Sequence, residues 1–353
     1  MSAPGRRRRT AAAPVGRRRI ILDGRDGAVA MPHGSGLYVR RLAEALATQV
    51  PAGVELRVIG RGHPGPEAVF EQLTLPALLR ARRADLLHGP DSFLPLVRPC
   101  AGVLTVHDLA FLALPGDMPA ATEAKYRLLV PAAARSAEAV ICPSAFTAED
   151  LVRRCRVDPA RIHVIAEAPA LPRGDRPVPA GPYLLAAGDL RPKKNLGVLV
   201  QAFRRLHADG FPHRLILAGA DLGAAPALGA LAGRAPVHFS GFLPDPELDA
   251  LIRGADAVVV PGVYEGFGLV ALDAMARARP TVLARAGALP EVGGEAALYF
   301  EPSDVGELVA VLTGLLGSSV NRAARSVAAA ERAAQFSWAA TAAATWAVYQ
   351  ELL

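Results

Sequence analysis

Aromatic residues are scarce, 5% of a 353-residue chain that is 52% hydrophobic overall. Any core must therefore be assembled from Ala, Val and Leu rather than from stacked rings. Cysteine occurs three times, at Cys100, Cys142 and Cys155. These show neither a pairing pattern nor metal-ligand spacing, which excludes a disulfide scaffold or zinc ribbon and reads as idle thiols in a reducing cytoplasm. No apolar run approaches the roughly 18 residues of a membrane span. The amino terminus lacks the apolar stretch of a secretory signal. No G-x-G-x-x-G with an acidic partner occurs, which counts against a nicotinamide oxidoreductase. No Asp-x-Asp stands in a turn suited to a metal, since Asp245-Pro246-Glu247 lies before a helix.

What charge there is sits unevenly. The net charge is +6, but Met1 to Arg19 holds seven arginines and no acid, so the remainder, six less seven, is −1. The basic character belongs to a tail, residues 1–18, whose Pro, Gly and Ala without periodicity predict disorder. An arginine cluster of this kind suits peripheral contact with an anionic membrane; a solvated extension, or a start codon assigned too far upstream, is the plainer reading. Nothing in the chain reads specific nucleic acid. The expected location is cytoplasmic, with the inner face of the membrane as the place of any peripheral contact.

The length predicts about two domains. From Arg19 onward, short apolar runs alternate with helical patterns: Arg19–Asp23, Val54–Ile59, Asp85–His88, Val103–Val106, Ala139–Cys142 and Ile162–Ile165. Such alternation predicts a parallel sheet covered on both faces. Residues 19–167 form this first unit. Ala168 to Pro182 is dense in Pro and Gly and reads as an interdomain linker. Residues 183–335 repeat the pattern with strands Tyr183–Ala187, Arg214–Leu217, Val237–Ser240, Ala257–Val260 and Thr281–Ala284. Residues 336–353 are a final helix.

In such sheets ligands sit beyond the carboxyl ends of the strands, and the polar residues collect there. The turn Tyr264-Glu265-Gly266-Phe267-Gly268 opens a helix at Leu269. Its glycines let backbone approach a ligand, and the helix start offers four unpaired N–H groups and about half a positive charge to an anion such as phosphate. Glu265 and Asp273 frame the turn as acceptors for sugar hydroxyls, so phosphate plus polyol suggests a nucleotide sugar. Gly188 to Asn195 carries Lys193 and Lys194 at another strand-to-helix turn, where Lys194 suits a diphosphate. In the first unit, Gly34 and Gly36 lie between strand and helix (Leu37 to Gln49, apolar at Leu42, Leu46 and Val50). His88 with Asp91 and His107 with Asp108 follow strands. A His and an Asp at a strand end are commonly a packed or capping pair. Thr147, three before Asp150, resembles a capping box, and a helix start accounts for it.

Several of these stretches resemble the retaining GT-B glycosyltransferases of family 4. Glu265-Gly266-Phe267-Gly268-Leu269 and Ala274-Met275 match E-G-F-G-L-x-x-x-E-A-M, with Asp273 in place of the second glutamate. Ala288 to Val292 matches S-L-P-E-V, and Thr105 to Phe111 matches T-I-H-D-L-x-F. Gly34, Gly36 and Tyr38 match T-G-I-G-R-Y. Lys194-Asn195 match the end of G-T-L-E-P-R-K-N, with Lys193 replacing the arginine and Asp189 also off pattern. Ser144 to Thr147 matches S-x-F-S/T. Ala166-Glu167-Ala168 departs from P-N-G. The likeness runs from Ile20 to the end, apart from the linker.

This resemblance implies two Rossmann-like α/β domains facing a cleft, with the last helix crossing back to the first. It implies a metal-independent retaining transfer of a hexose, mannose-like by preference, from a nucleotide-sugar donor to a glycan, lipid-linked or small-molecule acceptor. No cofactor is implied beyond the donor itself. Catalytic roles fall to His107, near the sugar, Lys194, on the diphosphate, and Glu265, holding the sugar; Asp273 would take the ribose. The donor site would be completed by Gly34, Gly36, Lys193, Gly266, Phe267, Gly268 and Leu269. A catalytically silent relative that binds a nucleotide sugar or a protein partner is the alternative, with a nicotinamide oxidoreductase behind it. Removing Met1 to Gly16 should leave turnover of soluble substrates intact and reduce binding to anionic vesicles, most visibly at low salt. Unaltered vesicle binding would place membrane contact in the folded part.

Overall fold

The short apolar runs form two six-stranded parallel sheets in a computed structural model that describes residues 17–29, 34–60 and 67–353. The basic tail before Arg17 and His33 lie outside the described residues. The first sheet comprises β1 (Arg18–Asp23), β2 (Val54–Ile59), β3 (Leu86–Gly89), β4 (Ala101–Thr105), β5 (Ala139–Cys142) and β6 (Ile162–Val164), in the order β2-β1-β3-β4-β5-β6. The second comprises β7 (Tyr183–Ala187), β8 (Arg214–Ala218), β9 (Val237–Gly241), β10 (Ala257–Val260), β11 (Thr281–Ala284) and β12 (Leu298–Phe300), in the order β12-β11-β10-β7-β8-β9. Each order reverses beside its first strand, β1 or β7, which opens a crevice at the carboxyl ends of the strands. The chain thus has the GT-B architecture expected of it.

Helices cover both faces of each sheet, so β3, β5, β10 and β11 are buried at every position. Burial on both faces is why their sequences are continuous apolar runs instead of alternating ones. The helix Ser35–Ala47 buries Leu42 and Leu46. It stops before Val50, which is 38% exposed, so the expected third apolar position falls outside the helix. The final helix, Trp338–Leu352, crosses to the first sheet and places Ala342, Trp346 and Tyr349 in the core with Leu42 and Leu46. His88 anchors it: Nδ1 lies 2.6 Å from Tyr349 Oη, and Nε2 lies 2.8 Å from Thr105 Oγ1. Burial pushes the His88 imidazole down to about 3, so the ring is neutral and structural. Among the described residues no helix is long and apolar enough to cross a membrane.

The segment between the sheets follows an irregular extended course, yet its start is fully engaged. Ala168, Ala170 and Leu171 are buried. Arg277, 7% exposed, donates to the Leu171 and Pro172 carbonyls at 2.9 and 3.1 Å and pairs with Asp249 at 2.7 Å. Asp249 in turn accepts from the Gly174 N–H at 3.0 Å. Without Arg277, Asp249 keeps Arg253 and the Gly174 N–H, but the Leu171 and Pro172 carbonyls lose their donor, at a cost of about 1–3 kcal/mol. Arg277→Ala should therefore lose about 1–3 kcal/mol of stability in urea unfolding, while Arg153→Ala, at a solvent-facing side chain whose partner Asp150 keeps Arg154 and Tyr264, should unfold close to the parent. Equal midpoints for the two would show that the linker is not held by this network.

Candidate donor site

The two crevices face each other and form a cleft of about 630 Å³. Its second-sheet wall is the turn after β10. Gly268 has φ +104° and caps the helix Leu269–Ala276, a conformation glycine adopts without strain. The backbone of Gly287, at φ +58°, packs directly on Glu265, and the Ala288 N–H donates to the Glu265 carbonyl at 2.9 Å. This second loop holds the Glu265 backbone, and the residue lines the cleft. There its Oε1 accepts from Lys194 Nζ at 2.7 Å. Lys194 reaches it by passing over Gly188, where a Cβ would stand 3.1 Å from Lys194 Cε. Asn195, in the left-handed region at φ 51°, ends this turn and donates to the Pro261 and Pro302 carbonyls.

Lys193 takes a different course. Its ammonium crosses to the first half and pairs with Asp108 Oδ2 at 2.9 Å. Burial opposes both charges, but the pairing prevails: the Asp108 carboxyl is held low, and Lys193, helped also by Glu265, is held high. Asp108 Oδ1 accepts from the Ala110 N–H at 2.9 Å, a local turn bond, while Leu109 is the N-cap of the helix Ala110–Ala113. Beside it, Arg191 pairs with the buried Asp117 at 2.6 Å, and Asp117 Oδ1 accepts from the Lys193 N–H at 2.9 Å.

His107 stands in the first-half wall with both ring nitrogens engaged. Nε2 is 2.8 Å from the Pro90 carbonyl, and Nδ1 is 2.9 Å from Glu167 Oε1. Burial alone would depress the imidazolium, but the bond and charge of Glu167, with Asp91 and the Pro90 carbonyl, raise it to about 9. Tyr38 packs edge-on against the ring at 4.6 Å. Asp91 lines the same wall and accepts from Ser35 Oγ at 3.0 Å.

The halves touch where the donor turn meets His107. A Cβ on Gly266 would collide with the His107 carbonyl, so two peptide units lie in direct contact across the cleft. The Gly266 carbonyl accepts from Ser144 Oγ at 2.6 Å and Thr147 Oγ1 at 3.2 Å. Ser144, not Thr147, is the helix cap, accepting from the Thr147 N–H at 3.1 Å. These hydroxyls do more than start a helix, because they satisfy a carbonyl of the other half. Glu291 does the reverse, accepting from the Ala145 and Phe146 N–H groups at 2.8 Å each, a carboxylate at a helix N-terminus.

The cleft brings together Gly34, His107, Lys193, Lys194, Glu265, Gly266, Phe267, Gly268, Leu269 and Asp273. Gly36 is instead buried within the helix Ser35–Ala47. Asp273 Oδ1 accepts from the Leu171 N–H at 3.0 Å and lies 3.4 Å from Arg277. Burial raises its carboxyl to about 6 against the pull of Arg277 and the Ala170 and Leu171 amides. Sequence reasoning did not single out Glu167, Asp117, Arg191 or Glu291 as site-building groups. For Glu167 a signal existed, a carboxylate in place of the family's asparagine, but its partner lies 60 residues away.

Two facing Rossmann-like halves with a glycine turn, paired lysines and carboxylates at the switch point define the class of two-domain sugar-transfer folds. The model of Glycosyltransferase Family 4 matches residues 66–168, and that of Glycosyl transferases group 1 matches residues 181–318. The chain belongs to this family of glycosyltransferases. It is 34% identical over 242 residues to an MMP alpha-(1->4)-mannosyltransferase of Mycolicibacterium hassiacum, covering 62% of this chain and 56% of that protein. It is 28% identical over 279 residues to an O-antigen chain mannosyltransferase B of Escherichia coli, covering 74% and 72%. Among solved structures, a sucrose-phosphate synthase from Thermosynechococcus elongatus superposes with a TM-score of 0.75 at 22% identity, over 95% of this chain and 99% of that one. Anabaena HepE, solved with UDP and glucose, gives 0.70 at 19%, over 95% and 100%.

The linker bonds of Asp273 change what its substitution should do. Losing a charged acceptor for buried amides costs about 1–3 kcal/mol, so Asp273→Asn should lower urea stability and weaken nucleotide binding only modestly. Glu265→Gln should cut donor turnover heavily and, because it leaves Lys194 without its charged partner, should also lower stability. Calorimetry and turnover for both variants check this; negligible effects of both would remove these carboxylates from the donor site.

Proposed function

We propose that the chain transfers a hexose, mannose-like by preference, from a nucleotide-diphosphate sugar to a hydroxyl of a glycan, lipid-linked or small-molecule acceptor, with retention at the anomeric carbon. The observation that carries this reading is the convergence of Lys194 and the N-terminus of the helix Leu269–Ala276 on one spot beside Glu265. A cation and a helix dipole suit a diphosphate, and a carboxylate next to them suits sugar hydroxyls. The mannosyltransferase names of two relatives, and the UDP and glucose bound by one structural neighbour, support the donor class.

In this reading the diphosphate lies on Lys194 and the Gly268–Leu269 amides. Lys194 and the helix N-terminus stabilise charge as it grows on the leaving group, the work a metal performs in other sites. Glu265 holds the sugar hydroxyls. The acceptor hydroxyl attacks on the face the diphosphate leaves, and a phosphate oxygen takes its proton. His107 stands beside the sugar with its nitrogens turned into the protein. The enzyme works in the cytoplasm, with any contact at the inner membrane face made through the arginine tail.

The test is donor turnover across common nucleotide sugars, followed by mass spectrometry with and without EDTA. Turnover of one hexose donor should survive EDTA, and Lys194→Ala should lose about 10²- to 10³-fold in rate while binding weakens less. An absolute requirement for magnesium or manganese would overturn the electrostatic assignment. Tight donor binding without turnover would return the silent relative.

A further inference from the structure

We propose that Glu167 is a positioning residue that keeps His107 doubly protonated, so that the cleft presents a fixed imidazolium beside the donor sugar. The inference rests on the donor-site reading for its catalytic half only. Its geometric half stands on hydrogen-bond chemistry. The Pro90 carbonyl can only accept, so the 2.8 Å contact at Nε2 requires an N–H there. An ionised Glu167 can also only accept, so the 2.9 Å contact at Nδ1 requires a second N–H. A ring donating from both nitrogens is an imidazolium.

The surroundings suit that charge. Glu167 is 3% exposed, so its attraction is weakly screened. Tyr38, from the helix Ser35–Ala47, blocks one side of the ring at 4.6 Å. Asp91, after β3, favours the charged ring when ionised, although burial raises its own carboxyl. Asp108, adjacent in sequence, has its oxygens committed to Lys193 and the Ala110 N–H. His88, from β3, is neutral and tied to Thr105 and Tyr349. From the opposite wall come Lys194 and Glu265, already paired with each other.

With both N–H groups bonded inward, His107 is neither a general base nor a proton donor to the sugar. What it offers is a positive ring, 18% exposed at the side chain, held against the cleft where the glycosidic oxygen gains negative charge. Glu167 sets that charge without touching substrate. The competing arrangement, a neutral Glu167 donating its proton to a neutral ring, has the same heavy-atom positions and differs in where the proton sits.

Histidine titration by NMR on the full chain separates the two, with the His107 resonance identified by its loss in His107→Asn. In the parent, His107 should titrate near 9. In Glu167→Gln it should fall to the ordinary 6.5 or below. The sign follows: parent turnover holds through neutral pH and declines only as pH rises through about 9, whereas the variant declines through about pH 6–7. At pH 8 the variant should be down roughly 30-fold, and at pH 5.5 it should come close to the parent. Glu167→Asp, which retains the charge, should recover part of the alkaline activity. A His107 already neutral at pH 7.5 in the parent overturns the proposal, and this needs no variant to fold. So does a Glu167→Gln that shifts the resonance without moving the pH profile. Absence of any turnover in the parent would instead sink the donor reading and leave the titration to decide the proton's place.

Discussion

The contact between the Gly266 peptide and the His107 carbonyl is the constraint around which the cleft is built. Two strand ends from different sheets meet backbone to backbone, with no side chain between them to adjust the distance. Once they meet, each buried polar group must find a partner. Ser144 and Thr147 serve the Gly266 carbonyl, and Glu291 serves the helix start at Ala145 and Phe146. Tyr264 donates to Asp150 at 2.6 Å and accepts from the Leu109 N–H. The turn that carries Gly266 is thereby registered against the first half.

Charge in the cleft follows a rule of prior pairing. Lys193 is matched to Asp108, Arg191 to Asp117, Lys194 to Glu265 and His107 to Glu167. On the proposed function a diphosphate meets no bare cation there, and Lys194 has donors left for it, because an ammonium has three and Glu265 occupies one. Lys193, 8% exposed and drawn toward Asp108, serves better as a strut between the halves than as a phosphate ligand. Pairing keeps the cleft from carrying uncompensated buried charge.

Much of the fold was legible in the chain because strands buried on both faces must be written as apolar runs. Ala139–Cys142, Tyr183–Ala187, Ala257–Val260 and Thr281–Ala284 have the same bounds in sequence and structure, and so has Val54–Ile59, an edge strand with one buried residue. The edge strand Leu298–Phe300, three residues long, carries too short a pattern to read. At the site, Glu265, Lys194 and His107 were legible because each sits in a local turn with its own chemistry. The pairs that build the cleft, Arg191 with Asp117 and His107 with Glu167, join residues 74 and 60 positions apart. No local period encodes them. Asp273 illustrates the converse: its place on the helix was legible, but its linker partner at Leu171 became visible only once the chain had folded back.

That linker contact ties the two ends of the donor helix to different tasks. The N-terminus of Leu269–Ala276 faces the cleft, while Asp273, one turn on, and Arg277, just past the end, hold Leu171, Pro172 and, through Asp249, Gly174. The segment joining the two sheets is thereby bonded to the helix whose N-terminus lines the cleft. Buried polar networks resist gradual distortion, because a half-satisfied member costs more than the network gains. The helix is thus held by the linker at one end and by the Gly266 contact, three residues before it begins, at the other. The position of the helix dipole and the course of the linker are consequently fixed together, and the shorter aspartate at 273 keeps its carboxylate on the linker amides.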